Sequence, residues 1–98
     1  MKLSIVATLY KSSIFLEEFY RRITEVAKQQ VGENYELILV NDGSPDASLK
    51  LALELQLRDR HIRVVDLSRN FGHHAAIVAG LERSIGQRVL LMDCDLEE

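Results

Sequence analysis

The 98-residue sequence predicts an α/β fold, a Rossmann-like parallel sheet with helices on both faces. Two observations carry that expectation. Short apolar runs begin near residues 3, 35, 62 and 88, and a stretch with helical spacing follows each of the first three. Hydrophobic residues make up 47% and charged residues 28%, a globular balance that leaves room for one domain at this length. Strands joined by helices of this size pair in parallel through right-handed crossovers.

Leu3-Ser4-Ile5-Val6-Ala7-Thr8-Leu9 is short, apolar and partly β-branched, the pattern of a buried strand. Ser12 and Ser13 are offered as N-caps for the next segment, with Glu17 and Glu18 near its positive end. Phe15, Leu16, Phe19, Tyr20, Ile23, Val26 and Ala27 recur at helical spacing up to about Gln30, and Gly32 closes the helix. Residues 35–40 form a second buried strand. In the following Asn41-Asp42-Gly43-Ser44-Pro45, Asp-Gly is a common hairpin signal, but Ser44 before Pro45 predicts a helix start, with Ser44 as its cap.

Residues 49–57 alternate like a strand, yet they include no β-branched or aromatic side chain. Leu, Ala, Lys, Glu and Gln are good helix formers, so a helix is predicted. Ile62-Arg63-Val64-Val65-Asp66-Leu67 is the third strand, and Ser68-Arg69-Asn70-Phe71-Gly72 a loop. Ile77, Val78, Leu81 and Ile85 mark a helix face from His73, which Gly86 ends. Residues 88–92 form the fourth strand and run into Asp93-Cys94-Asp95.

A net charge of -3 supplies no basic field for nucleic acid, and one cysteine, Cys94, excludes an internal disulfide framework. No apolar run reaches the ~18 residues a bilayer requires, and residues 1–10 lack the cleavage pattern of a signal peptide. The expectation is a cytoplasmic domain. The sequence stops at Leu96-Glu97-Glu98, directly after an apolar run and an acidic pair, which predicts a piece of a longer domain.

In a doubly wound sheet every strand aims its carboxyl end at one edge, where ligands bind. Thr8 and Tyr10, Asn41 to Ser44, Ser68 to Asn70, and Asp93, Asp95 and Glu97 all fall there. Asp93-x-Asp95-x-Glu97 has hard-cation chemistry, since carboxylates suit Mg²⁺ or Mn²⁺ and alternate residues of an extended segment share a face. Its bland reading is a solvated acidic loop end. Asp42 either accepts hydrogen bonds from a ligand or caps the following helix, and Asn41 reads as a turn residue. Arg69 pairs with a phosphate or with a surface acid, and Tyr10 stacks on a base or closes the core. Adjacent His73 and His74 diverge on a helix, so they read as helix-start residues rather than a paired metal site. Cys94 between carboxylates is a poor nucleophile and reads as a small filler. Neither G-x-G-x-x-G nor a P-loop is present.

Ser4-Ile5-Val6-Ala7-Thr8-Leu9-Tyr10, Glu36-Leu37-Ile38-Leu39-Val40-Asn41-Asp42-Gly43-Ser44-Pro45-Asp46 and Asp93-Cys94-Asp95 together resemble the family 2 inverting glycosyltransferases of the GT-A fold. Ser68-Arg69-Asn70-Phe71-Gly72-His73-His74-Ala75-Ala76 through Gly80-Leu81, with Asp93-Cys94-Asp95-Leu96-Glu97-Glu98, is similar to one branch of it. That branch contains dolichol-phosphate mannose synthase and the bacterial undecaprenyl-phosphate sugar transferases. The resemblance covers the whole chain.

It implies that residues 1–98 are the nucleotide-sugar-binding N-terminal half of a glycosyltransferase domain, truncated after the D-x-D motif. Thr8, Tyr10 and Asp42 would contact the donor nucleotide, Asp42 reading the base, with Arg69 and Asp93 also on the nucleotide sugar. Asp93, Asp95 and Glu97 would hold Mg²⁺ or Mn²⁺, Glu97 standing where the branch commonly has Gln. The ion would neutralise the departing nucleoside diphosphate. The partners implied are a nucleotide-diphosphate sugar and a polyprenyl phosphate or saccharide acceptor, in cell-envelope biosynthesis. The full-length protein would associate with the inner face of the membrane. The family usually carries Pro where Thr8 stands and Asn-Glu where Lys11-Ser12 stand. Its acceptor-side residues lie beyond the D-x-D, so catalytic residues are expected beyond residue 98 and little turnover from residues 1–98 alone.

Two other classes compete. A non-catalytic, receiver-like module with an acidic Mg²⁺ pocket would need an acidic pair after the first strand, where Thr8-Leu9-Tyr10 stands. A structural half-domain would hide an exposed fourth strand, Val89-Leu90-Leu91-Met92, by self-association.

Overall fold

The computed structural model describes residues 1–94. Among them the chain runs β1 (Leu3–Leu9), α1 (Leu16–Val31), β2 (Tyr35–Asp42), α2 (Ser48–Arg58), β3 (Ile62–Leu67), α3 (His73–Arg83) and β4 (Arg88–Asp93). The strands pair in the order β3-β2-β1-β4, every pair parallel. The predicted doubly wound half-sheet is therefore the observed one. The chain steps outward from β1 to β3, then crosses back to place β4 on the other side of β1. The strand order reverses between β1 and β4, and such a switch point opens a crevice at the carboxyl ends.

Side-chain parity divides the core into two layers. Ile5, Ala7, Leu9, Leu37 and Leu39 face one side and pack with Leu16, Phe19, Ile23 and Ala27 of α1 and with Ala52 and Leu55 of α2. Val6, Ile38 and Val40 face the other side, against Ala76 of α3. β1 and β2 are buried on both faces, which is why they read as continuous apolar runs. The leucine-rich stretch is helical as predicted: Ala52 and Leu55 turn inward, while Leu53 and Leu57 lie exposed.

α3 sits close to the sheet because Gly80 has no side chain. A Cβ there would lie 2.3 Å from Val6 Cγ1. The far end of this crossover is fastened by a buried acid, Glu36, which is 2% exposed. Its carboxylate accepts from Ser4 Oγ, from the Ile85 N–H at 2.8 Å and from Arg63 at 2.9 Å. Ser4 Oγ in turn accepts the Gly86 N–H at 2.7 Å. Glu36 thus ties β1, β2, β3 and the α3–β4 turn together. Elsewhere on the amino edge Tyr35 stacks on His61, with ring centroids 4.2 Å apart, and His61 Nδ1 lies 2.7 Å from Asp59.

Several sequence expectations give way. Ser12 and Ser13 do not cap α1: the cap residue is Phe15, with no side-chain cap bond. Ser44-Pro45 does not start α2, which begins at Ser48 after Ala47. Asn41 is no turn residue, because β2 continues through Asp42. The Ser12 hydroxyl bonds within its own loop, to Tyr10; Ser44 Oγ accepts from the loop after β1; and Asn41 donates to Asp66 of β3. Gly32 does end α1, at φ 63°. No helix among the described residues is long and apolar enough to cross a membrane.

Burial pushes the Glu36 carboxyl up, but its bonds from Ser4, Ile85 and Arg63 outweigh that and hold it below the ordinary value. A carboxyl lowered on folding stabilises the fold fully above its ordinary pKa of 4.5 and loses that contribution as acid protonates it. Glu36→Gln is expected to cost about 2 kcal/mol at neutral pH by removing a buried charged acceptor. Unfolding followed by circular dichroism should show the gap between parent and variant narrowing below about pH 4.5. A gap that is constant with pH would overturn this role.

Candidate functional site at the carboxyl edge

Three crossover loops meet at the carboxyl edge, sewn to one another by side chains. The loop after β1 leans on the loop after β2: the Lys11 N–H donates to Ser44 Oγ at 2.8 Å and the Ser12 N–H to Ser48 Oγ at 3.0 Å. The Ser13 N–H reaches Asp46 Oδ2 at 3.2 Å. Asp46 also accepts from Ser44 Oγ and from the Ser48 N–H. Partial burial opposes ionisation of Asp46, but this set of donors holds its carboxyl far below the ordinary carboxylate range. Lys11 adopts a left-handed conformation, φ 54°, to make the turn. Beyond this corner Tyr10 is 46% exposed, so it does not close the core.

The loop after β3 leans on β2 in the same way. Asp42, 5% exposed, accepts the Phe71 N–H at 2.9 Å instead of capping α2. Gly43, at φ 62°, lets the two backbones touch: a Cβ there would lie 2.2 Å from the Asn70 nitrogen and 2.3 Å from the Arg69 carbonyl carbon. Arg69 stands exposed with its guanidinium 4.8 Å over the Phe71 ring. Among the described residues no acid pairs with it, and it stands on the rim of the site. Asn41 donates to Asp66 at 3.1 Å, and its own amide oxygen is buried without a partner among the described residues.

The predicted residues that do converge are Thr8 and Asp93. β1 and β4 pair with Thr8 opposite Asp93, so both side chains rise on the α3 face at the switch point. Thr8 Oγ1 donates to Asp93 Oδ1 at 2.9 Å. His73, the first residue of α3, places Nδ1 3.3 Å from the same carboxylate oxygen and 3.4 Å from Thr8 Oγ1. Thr8, Tyr10, Ser12, His73, Asp93 and Cys94 line an open cleft of about 170 Å³. A larger hollow of about 340 Å³ between α1 and α2 has an apolar floor of Leu16, Leu51, Leu55 and Leu57 and shares no lining residue with this cleft.

His73 starts α3, as the sequence predicts, and in addition stands beside Thr8 and Asp93. The clue was present: the first residue of a helix entering from the ligand edge faces that edge. His74 does not join the cluster. Cys94 is buried in the α1 and α2 core layer, in line with a filler role. Asp95 and Glu97 lie outside the described residues. Among the described residues no three acidic, histidine or cysteine groups come together as a metal cage.

The chain matches, over residues 4–98, the family described as Glycosyl transferase family 2. It is 42% identical over 95 residues to the Bacillus subtilis protein YkcC, named as an uncharacterised glycosyltransferase, covering 97% of this chain and 29% of that one. It is 44% identical over 95 residues to the undecaprenyl-phosphate 4-deoxy-4-formamido-L-arabinose transferase of Pseudomonas fluorescens, covering 96% of this chain and 28% of the relative. Among solved structures it superposes on S. aureus TarS in complex with UDP-GlcNAc, with a TM-score of 0.80 and 26% identity over 97% of this chain and 27% of that one. The chain thus spans under a third of the length of these relatives.

Gly43→Ala is expected to push the 68–72 loop off β2 and to cost roughly 2 kcal/mol or more, because left-handed strain adds to a backbone clash. Amide shifts at Asn70 to His73 and a lowered melting temperature would report it. Parent-like shifts and stability would show that the two loops do not depend on this contact.

Proposed function

The chain belongs to glycosyl transferase family 2, and from that premise we propose that residues 1–98 form the nucleotide-sugar-binding N-terminal half of a longer inverting glycosyltransferase. The carrying observation is the cleft where Thr8 and Asp93 meet across the strand-order reversal, the place at which this architecture binds ligands. The donor is a nucleotide-diphosphate sugar. TarS complexes with UDP and with UDP-GlcNAc favour a uridine nucleotide. The acceptor is a polyprenyl phosphate, favoured over a saccharide by the undecaprenyl-phosphate transferases among the relatives. The place of action is then the inner face of the membrane, in cell-envelope biosynthesis.

In this reading the exposed Tyr10 ring stacks on the base. Asp42, already fixed by Phe71, presents its carboxylate to the base edge. Arg69 swings from its perch over Phe71 to pair with a donor phosphate. The metal is Mg²⁺ or Mn²⁺, held by Asp93 with Asp95 and Glu97. The residues present fit such an ion: Asp93 offers a hard oxygen ligand, half-exposed at the cleft and already oriented by Thr8. When bound, the ion neutralises charge on the nucleoside diphosphate. The acceptor-side groups and any base belong to the chain beyond residue 98, so residues 1–98 bind donor without turning it over.

One observation favours a second, structural behaviour. β4 is an edge strand with Val89, Leu90 and Leu91 each 40–45% exposed. An open apolar edge of this kind supports self-association of residues 1–98 when they stand alone.

Calorimetry on the complete enzyme should show UDP affinity rising with Mn²⁺ and Asp95→Asn removing that rise. Tyr10→Ala should weaken UDP about tenfold, as expected for losing ~1–3 kcal/mol of base stacking. UDP binding with unchanged affinity and metal dependence in both variants would overturn the donor-site reading.

A further inference from the structure

Asp93 sits at the end of an edge strand with its side chain 56% exposed, where a carboxylate would ordinarily sample several rotamers. Here a hydroxyl from β1 donates to one of its oxygens, and an imidazole from α3 stands within ion-pair distance of the same oxygen and within hydrogen-bond distance of that hydroxyl. Thr8 comes from the interior strand β1 and is 7% exposed, so its hydroxyl needs a partner within the protein, and Asp93 Oδ1 at 2.9 Å supplies it. His73 comes from α3, with Nδ1 3.3 Å from that same oxygen. The backbone that carries each group is fixed. Thr8 is branched at Cβ and locked in the ladder opposite Asp93. His73 follows a loop tied down by the Phe71 N–H on Asp42 and the Gly72 N–H on Asn70 Oδ1 at 2.9 Å.

We propose that Thr8 and His73 are a pair of positioning residues that grip Asp93 Oδ1 and so commit Oδ2 to the divalent cation of the donor complex. The proposal rests on the glycosyltransferase reading above and extends it to two residues that need not touch the ion. A carboxylate presented in one orientation loses less freedom when it binds. Outer groups that orient metal ligands in this way typically change metal affinity by ~10–100-fold when removed.

The test measures UDP affinity with and without Mn²⁺ on the complete enzyme and takes the ratio of the two. Thr8→Val and His73→Ala should each lower that ratio about tenfold, while Thr8→Ser, which keeps the hydroxyl, should restore it. The double variant should lose less than the product of the single losses, because both groups act on one oxygen. A purely structural defect, or a direct contact to the nucleotide, would move both affinities together and leave the ratio unchanged. That result overturns the proposal if Asp93→Asn still abolishes the metal dependence. Should Asp93→Asn itself leave the ratio intact, the metal reading of Asp93 fails and the positioning role falls with it.

Discussion

The two-sided parallel pairing of β1 is the constraint on which the rest of this molecule depends. β1 is hydrogen-bonded to β2 on one side and to β4 on the other, in registers that run the length of the strand. Parallel pairing sends every carboxyl end to the same edge, and the jump from β3 back to β4 opens that edge beside β1. Six of its seven residues are buried, and burying a Val, Leu or Ile side chain contributes about 1.5–3 kcal/mol. A one-residue slip between β1 and β4 would turn Asp93 to the opposite face from Thr8. The buried Glu36 opposes such a slip from the far end, because Ser4 of β1 and the Ile85 N–H just before β4 both donate to its carboxylate, while the Gly86 N–H donates to Ser4 Oγ.

The loops obey a second rule. α1, α2 and α3 all begin without a side-chain cap bond, although Ser, Asp and Asn are abundant nearby. Those side chains are spent between loops: Ser44, Asp46 and Ser48 hold the loop after β1, while Asp42 holds the loop after β3. A cap stabilises one helix, whereas a bond between loops fixes their separation, and a ligand spanning several strand ends needs that separation set in advance. The edge is stitched around Asp42 to Ser48, leaving Tyr10, Arg69 and Asp93 as exposed groups on a framed rim.

Much of this was legible from residue order. Seven elements were placed in sequence with the right type, including the leucine alternation at 49–57, because periodicity and helix propensity are local properties. The carboxyl-edge placement of Thr8, Asp42 and Asp93 also followed, since a β-α-β order fixes which end of each strand faces the ligand. The misreadings share one cause. Ser12, Ser13 and Ser44 were assigned to the nearest helix start, and Asn41 to a turn. The backbone N–H groups of Ser12 and Ser13, the Ser44 hydroxyl and the Asn41 amide find partners 25 to 36 residues away, outside the local window on which such rules rely.

The sequence by itself determined the alternating elements, the parallel sheet and the polar character of one edge, because hydrophobic period and β-α-β order act over short stretches of chain. Tertiary structure alone decided which polar groups touch. Thr8 and Asp93 are 85 residues apart and His73 is 65 from Thr8, and nothing in their local context announces a shared oxygen. Their meeting follows from β4 crossing back to β1, a choice settled by the packing of α3 against Val6 and Val40 and by the buried carboxylate of Glu36.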